Sequence, residues 1–131
     1  MVEGRAWRGL GIGMAVQASG LLVLLAVLPA IAQDPSIKVI TATIASSGAH
    51  KECLSLSRTQ SLRYWFRSDA PIDFNIQYQD AGGVVYPVRR EKLSMGTGSY
   101  PAKTAEVHCM VLTNKARKPV TVRLEFVRVE R

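Results

Sequence analysis

The amino-acid sequence predicts an all-β protein, an antiparallel β-sandwich of about seven to eight short strands with one disulfide. Apolar and polar residues alternate with a period of two from residue 37 to the end of the chain, as in strands that bury one face. No window of about a dozen residues sustains helical spacing with capping signals. Turn-forming segments such as 80–83 and 114–119 separate the alternating runs, and such regular interruption is typical of a sandwich.

Residues 1–32 are predicted to be a signal peptide, and residues 33–131 to form a single sandwich domain. Arg5 and Arg8 give the segment a positive start, and a leucine-rich apolar core follows. Residues 30–32 then match the small-residue pattern of a cleavage site. The mature protein is therefore expected to be periplasmic or secreted.

The alternative for this segment is an uncleaved membrane anchor. The weakly polar stretch 9–32 is long enough to cross a bilayer. Cleavage before Gln33 is favoured because polar residues and a proline shorten the truly apolar run. Contact with the membrane is expected only if the segment is kept.

The first strands are predicted at 37–44, which includes Ile40, and at 50–56. In the next two strands, apolar side chains take one face and mostly polar side chains the other, as half-buried strands require. Leu62, Tyr64 and Phe66 oppose Arg63, Trp65 and Arg67 in the first of them, and Ile72, Phe74, Ile76 and Tyr78 oppose Asp73, Asn75 and Gln77 in the second.

Turn residues and prolines organise the remainder of the chain. The glycine-containing turn at 80–83 predicts a hairpin over 72–88, whose second arm is limited by Pro87 to an edge or a bulge. The segment 89–101 shows no clean period and is predicted to be a long functional loop. Two further strands are predicted to bury alternate residues, Ala105, Val107, Cys109 and Val111 in one and Val120, Val122, Leu124 and Phe126 in the other.

The charge of the chain restricts its partners. Lysine and arginine number 17 against 10 for aspartate and glutamate, a net charge of +7. Only two arginines and one glutamate lie in residues 1–32, so the basic character belongs to the domain itself. Nucleic acid is not expected as a partner of an exported protein, whereas anionic envelope components and acidic protein surfaces fit the charge.

The two cysteines, Cys53 and Cys109, are predicted to form a disulfide. They are the only cysteines of a chain sent to an oxidising compartment, where paired thiols become disulfides. The chain-entropy model assigns a loop of this length about 4 kcal/mol. Free thiols and metal ligation are the alternatives.

The order of several short motifs resembles the Golgi-dynamics (GOLD) domain, the lumenal β-sandwich of eukaryotic cargo receptors. The residues that carry the resemblance are Lys51-Glu52-Cys53, Asp73-Phe74-Asn75-Ile76, Gly82-Gly83, Gly98-Ser99-Tyr100, Cys109 and Asn114. The resemblance implies a sandwich of seven or eight strands with Cys53 bridged to Cys109. It also implies a role in binding proteins rather than in turning over a substrate.

A metal or redox site is the sharpest chemical alternative. His50 lies three residues before Cys53, and His108 immediately precedes Cys109, so the sequence offers the donor types that zinc and copper bind. Neighbours on a strand point to opposite faces, however, so His108 and Cys109 can share an ion only across a bulge. A disulfide flanked by two surface histidines is therefore the favoured interpretation, with no metal and no cofactor.

Catalysis has little support in the sequence. With two histidines in all and no Gly-x-Ser-x-Gly motif, no activated nucleophile can be assigned. The segment 96–99 has glycines like a phosphate-binding loop but lacks the lysine and the helix that such a loop needs.

The candidate binding surface is basic and aromatic. Arg63, Trp65 and Arg67 alternate onto one strand face, where an indole and two guanidinium groups can hold an anionic ligand, and Arg89 and Arg90 are predicted to extend the surface. The alternative is that Trp65 is packed inside and the arginines only solvate the surface. The sequence therefore predicts an exported, non-enzymatic binding module that recognises a protein or an anionic envelope component.

Overall fold

The computed structural model describes Gly20 and residues 36–131, and these residues contain six β-strands. The predicted signal peptide, residues 1–32, lies outside the described residues apart from Gly20. The strands are β1 (Lys38–Ile44), β2 (Ala49–Leu56), β3 (Gln60–Asp80), β4 (Gly83–Pro101), β5 (Glu106–Thr113) and β6 (Val120–Glu130). Among the described residues there is no helix long and apolar enough to span a bilayer.

All six strands belong to one antiparallel sheet, in which the long strand β3 is central. One edge of β3 pairs with β4 along most of its length, from Ser61 opposite Pro101 to Asp80 opposite Gly83. The other edge pairs first with β6, over residues 60–68, and then with β5, over residues 73–78. β1 continues the sheet beyond β6, and β2 continues it beyond β5.

The sheet curls where β3 changes partner. A register irregularity lies between Arg67 and Ile72, at this change. The rings of Tyr64 and Phe66, before the irregularity, lie 4.8 and 4.9 Å from the ring of Phe74, after it. The inner faces of the two halves therefore meet, as in a half-barrel.

The all-β prediction and the antiparallel arrangement are confirmed, but the described residues form fewer strands than predicted, and these strands form one curled sheet instead of the two packed sheets of a sandwich. The predicted strands at 62–67 and 72–78 are one strand, β3, because the chain stays extended through residues 68–71 and only exchanges its neighbour. The hairpin over 72–88 is present, with its turn at residues 81–82.

A single apolar core fills the inside of the curl. Alternate residues of β3 and β6 supply much of it, with the inward sets that the alternation predicts. On β5 the predicted facing is wrong, since Val107 is exposed and His108, Met110 and Leu112 are buried. Apolar residues occupy both faces of β5, so alternation alone could not choose between them. The core comprises Ile44, Leu56, Leu62, Tyr64, Phe66, Ile72, Phe74, Ile76, Tyr100, Ala102, Met110, Leu112, Val120, Val122, Leu124 and Phe126.

Asn114 joins the turns at one end of the sheet. Its side chain is fully buried, and its amide nitrogen lies within hydrogen-bond distance of the carbonyl oxygens of Ile44, Ala45 and Lys118, at 3.0, 3.2 and 2.8 Å. Its carbonyl oxygen accepts a hydrogen bond from the amide of Ala116 at 2.8 Å. One side chain thus satisfies backbone groups of two turns, which keeps the β1–β2 connection against the β5–β6 connection.

A basic and aromatic surface around Trp65

Trp65 lies on the outer face of the first half of β3. Leu62, Tyr64 and Phe66 are buried in the core, so the alternating residues Arg63, Trp65 and Arg67 point outward. The two arginines are exposed, and Trp65 is half-buried. The predicted alternation is therefore confirmed for these three residues, and Trp65 is not enclosed in the core.

Strand register determines which residues surround Trp65. Thr97 of β4 lies opposite Trp65 on one side and Glu125 of β6 on the other, and Val39 of β1 lies opposite Glu125. We call this surface the Trp65 face. It comprises Ile37, Val39, Arg63, Trp65, Arg67, Met95, Thr97, Ser99, Arg123, Glu125 and Val127.

The Trp65 face combines a shallow depression with exposed apolar side chains. The depression has a volume of about 320 Å³ and is lined by Trp65 together with Ile37, Thr97 and Val127, among others. Ile37, Val39 and Met95 expose 62%, 47% and 58% of their surface, which is unusual for large apolar residues clustered on one face. The sequence alone did not predict that Ile37, Val39 and Met95 lie near Trp65, because they are brought there only by the register of β1, β6, β3 and β4.

Positive charge predominates on the Trp65 face. Arg67 and Arg123 lie directly opposite each other on β3 and β6, an arrangement that is unfavourable for like charges. Arg123 is bonded to Glu125 at 3.0 Å, whereas Arg63 and Arg67 have no ion-pair partner among the described residues. The carboxylate of Asp69 lies at the end of the face, and it accepts a hydrogen bond from the Thr121 amide instead of pairing with an arginine. Arg63 and Arg67 are thus available to an external anion.

Arg89 and Arg90 do not belong to the Trp65 face. They lie opposite Asn75 and Phe74 on the other half of β4, roughly 15 Å along the strand from Met95. The guanidinium of Arg89 packs over the ring of Tyr86 at 4.4 Å. The prediction that these two arginines extend the surface is therefore not supported by their placement.

The predicted loop 89–101 is wrong, because these residues belong to β4. The period of two is broken at Lys92, whose φ of 53° is left-handed and whose amide donates a hydrogen bond to Asp73 Oδ1 at 3.0 Å. Together with a second register shift between Leu93 and Met95, this irregularity interrupts the alternation and hides the period. Segment 96–99 also lies within β4, so it is not a loop and does not resemble a phosphate-binding loop.

Gly96 and Gly98 have a structural role in β4. They lie opposite Phe66 and Tyr64, and a Cβ atom on either glycine would overlap the facing aromatic ring. The two rings therefore occupy the space that β4 leaves empty. Burial raises the pKa of the Tyr64 phenol above its ordinary value, and the nearby charge of Arg90 opposes that rise.

The cysteines form the predicted disulfide. Cys53 and Cys109 are directly opposite each other on β2 and β5, with their Cα atoms 4.0 Å apart. The bridge is on the outer face, because the adjacent residues Leu54 and His108 turn inward. No free cysteine remains in the described part of the chain.

The metal or redox hypothesis is contradicted by this arrangement. It requires His50, Cys53, His108 and Cys109 to act together, but the thiols are bonded to each other and the histidines lie on the opposite face. His50 lies 2.9 Å from a carboxylate oxygen of Glu52. Within residues 36–131, no group of three or more histidine, cysteine, aspartate and glutamate side chains is arranged to hold a metal ion.

His108 is fully buried rather than on the surface. Its ring lies between those of Tyr78 and Tyr100, with centroid separations of 5.0 and 5.5 Å. Its Nδ1 is 2.9 Å from the carbonyl oxygen of Glu106, which indicates that Nδ1 carries the hydrogen. His108 is therefore a packed core residue of β5.

Neither a protein-family model nor a curated protein sequence matches this chain. Among solved structures, the mitogen derived from Yersinia pseudotuberculosis is similar over 72% of this chain and 86% of its own, with a TM-score of 0.53 and 14% identity. The Aeromonas hydrophila protein PliG, a periplasmic inhibitor of g-type lysozyme, is similar over 72% of this chain and 88% of its own, with a TM-score of 0.57 and 11% identity. At these identities the similarity shows a shared fold. The resemblance to GOLD domains stays a prediction.

Proposed function

We propose that this protein is an exported, non-enzymatic binding module that recognises another protein through the Trp65 face. The observation that carries the proposal is the half-buried Trp65 between two exposed arginines, Arg63 and Arg67, that form no ion pair within the described part of the chain. Tryptophan, arginine and methionine are enriched at the centres of protein interfaces, and Met95 stands beside them here. The depression next to Trp65 offers a place for one apolar side chain of the partner.

Several observations support export and binding without catalysis. The disulfide between Cys53 and Cys109 is of the kind that persists in oxidising compartments, in agreement with the predicted signal peptide. One protein of the same fold is a periplasmic inhibitor of a lysozyme, and it therefore acts on another protein. The resemblance to GOLD domains, which also bind proteins, points in the same direction.

An anionic envelope component is the second candidate. Arg67 and Arg123 face each other across β3 and β6, and a phosphate or carboxylate placed between them would relieve their repulsion. A protein partner is favoured because the depression beside Trp65 and the exposed side chain of Met95 suit an apolar group, which an extended polyanion does not offer. The exposed apolar residues Ile37 and Val39 are also better matched by a protein surface.

The test is photo-crosslinking in living cells, with the crosslinking amino acid placed at Met95 on the Trp65 face. We expect crosslinks to a defined protein, and their loss when Arg63, Trp65 and Arg67 are changed together to serine. The matched control changes Arg89 and Arg90 to serine, which removes the same charge from the other half of β4 and should leave the crosslinks intact.

The result can contradict the proposal in two ways. Crosslinks to lipid or envelope polymer alone would favour the second candidate. Crosslinks that persist in the triple variant, or that also disappear in the Arg89 and Arg90 control, would show that the Trp65 face is not the binding site.

A further inference from the structure

The long strand β4 has one edge without a partner. β4 runs from Gly83 to Pro101 and pairs with β3, and no other described strand pairs with it. A free edge exposes backbone amide and carbonyl groups that can pair with a strand of another chain, so edges in native proteins are usually protected.

The first half of the β4 edge is protected. Four consecutive charged residues, 89–92, stand on it, and Pro87 interrupts it. The strand is also distorted at Lys92, where φ is 53°. Charge, proline and distortion are the usual means by which natural proteins prevent edge-to-edge pairing.

The second half of the β4 edge has neither the charge nor the proline, and its one irregularity in pairing with β3 lies at its start, between Leu93 and Met95. From Leu93 to Tyr100 the sequence Leu-Ser-Met-Gly-Thr-Gly-Ser-Tyr contains no charged residue and no proline. Its pairing with β3 is regular from Met95 to Pro101. This unprotected edge directly borders the Trp65 face, because Thr97 lies opposite Trp65.

We propose that an extended acidic segment of the partner protein adds to β4 along Leu93–Tyr100 as a further strand of the sheet. This inference rests on the proposed function and specifies how the partner binds. Backbone hydrogen bonds to the free edge would supply affinity, and side chains at alternate positions would supply specificity. Outward side chains of the added strand would lie beside Thr97 and Ser99.

Charge complementarity favours an acidic partner segment over a second copy of this chain. The short side chains of Thr97 and Ser99 separate the free edge from Arg63, which lies opposite Ser99. A long carboxylate side chain on the added strand can therefore meet the guanidinium groups of Arg63 and Arg67. In a self-paired dimer the added strand would be Leu93–Tyr100 itself, which has no carboxylate to offer.

The inward side of the added strand would also find a suitable surface. Gly96 and Gly98 face inward on β4 and carry no side chain, so an added strand would meet no β4 side chain at these two positions. The rings of Phe66 and Tyr64, which fill the space behind the glycines, are themselves buried. Apolar side chains of the partner can pack beside the two glycines. The expected partner segment thus alternates apolar and acidic residues.

The experiment uses the protein purified as cells export it and a synthetic eight-residue peptide of alternating valine and glutamate. Amide hydrogen exchange is measured with and without the peptide, and a valine–lysine peptide of the same length is the control. We expect the valine–glutamate peptide to protect alternate amides within residues 93–100, namely those not already bonded to β3. Residues 83–92 should gain no protection, and the valine–lysine peptide should not bind.

Two variants test the role of the arginines. Changing Arg63 and Arg67 to serine is expected to weaken binding of the valine–glutamate peptide roughly tenfold, since two exposed charge pairs are lost. The pair Arg89→Ser and Arg90→Ser should leave the affinity unchanged. Both arginine pairs are exposed, so neither variant should impair folding.

Three results would overturn the inference. Peptide binding that alters Trp65 fluorescence without protecting β4 amides would show docking on the face alone, and would leave the proposed function standing. Protection of residues 93–100 that rises with protein concentration in the absence of peptide would identify a second copy as the occupant. No binding of the valine–glutamate peptide at millimolar concentration would exclude strand addition by an acidic segment. Conversely, strand addition without the crosslinking at Met95 would contradict only the proposed function.

Discussion

At Gly98, the absence of a side chain allows an aromatic ring to lie against the neighbouring strand. A Cβ atom at this position would overlap the phenol ring of Tyr64, and the backbones of β3 and β4 cannot separate without breaking their pairing. Tyr64 in turn contacts Phe74 on the other half of the sheet. A side chain at Gly98 would therefore displace Tyr64 and disturb its contact with Phe74, which joins the two halves of the core.

We predict that Gly98→Ala destabilises the protein by about 1–3 kcal/mol, the usual cost of overpacking a fitted site. The measurement is the free energy of unfolding from urea titration. Gly82→Ala is the matched control, because Gly82 is exposed in the β3–β4 turn and has an ordinary φ. Equal stability of Gly98→Ala and the unmodified protein would show that Tyr64 does not depend on this space.

Asp73 provides a residue-scale prediction about pH. A hydrogen bond from Lys115, whose Nζ lies 2.7 Å from Oδ2, lowers the pKa of Asp73 below its ordinary value, and the Lys92 amide on Oδ1 contributes in the same direction. Desolvation opposes this shift but is the smaller effect. Because the folded-state pKa is depressed, the stabilisation is complete above the unfolded pKa and is lost as the pH falls through the folded pKa.

The corresponding experiment compares Asp73→Asn with the unmodified protein between neutral and strongly acidic pH. Asp73→Asn should be less stable at neutral pH, and the difference should shrink as the pH falls below the ordinary range of carboxyl groups. Glu106→Gln, on an exposed glutamate of β5, serves as the control. A difference in unfolding free energy that stays constant with pH would contradict the assignment.

At the scale of the strands, alternation predicted which side chains of β3 are buried but not that β3 is one strand. Leu62 and Phe66 before the irregularity and Ile72 and Phe74 after it share the inner face, so the pattern could be read locally. The residues between them, ending in Pro71, look like a turn in the sequence. β3 continues through these residues because its pairing partner changes from β6 to β5 there. This change depends on contacts between residues that are distant in the chain.

In the candidate site, too, some features follow from the local sequence pattern and others only from contacts between residues distant in the chain. The outward placement of Arg63, Trp65 and Arg67 follows from alternation alone. The apolar residues Ile37 and Met95 reach Trp65 only through the register of β1, β6 and β4. The irregularity at Lys92 likewise made β4 resemble a loop, although its two halves are each extended.

At the scale of the whole molecule, the two halves of the sheet share β3 and one core, so they should unfold together. The disulfide lies on β2 and β5, in the half that does not carry Trp65, and closes a separation of 56 residues. Its loss should therefore affect the distant Trp65 as much as its own surroundings.

We predict that changing Cys53 and Cys109 together to serine lowers the free energy of unfolding by about 4 kcal/mol, the chain-entropy value for such a loop. Trp65 fluorescence and far-ultraviolet circular dichroism should report the same lowered midpoint in urea. Separate midpoints for the two signals would show that the halves of the sheet are independent. The Ser55→Ala variant, on the same face of β2, controls for substitution at this edge.

The position of β6 between β1 and β3 also determines when the sheet can close. β3 and β4 are joined by a two-residue turn and can pair as soon as both are synthesised. Among the described strands, β1 pairs with β6 alone, which lies more than 75 residues later in the chain. We therefore expect a chain that stops after β5 to be able to form the β3–β4 hairpin and the β2–β5 pair, while β1 lacks the strand with which it pairs. The sheet that the described strands form is therefore complete only once residues 120–130 are present.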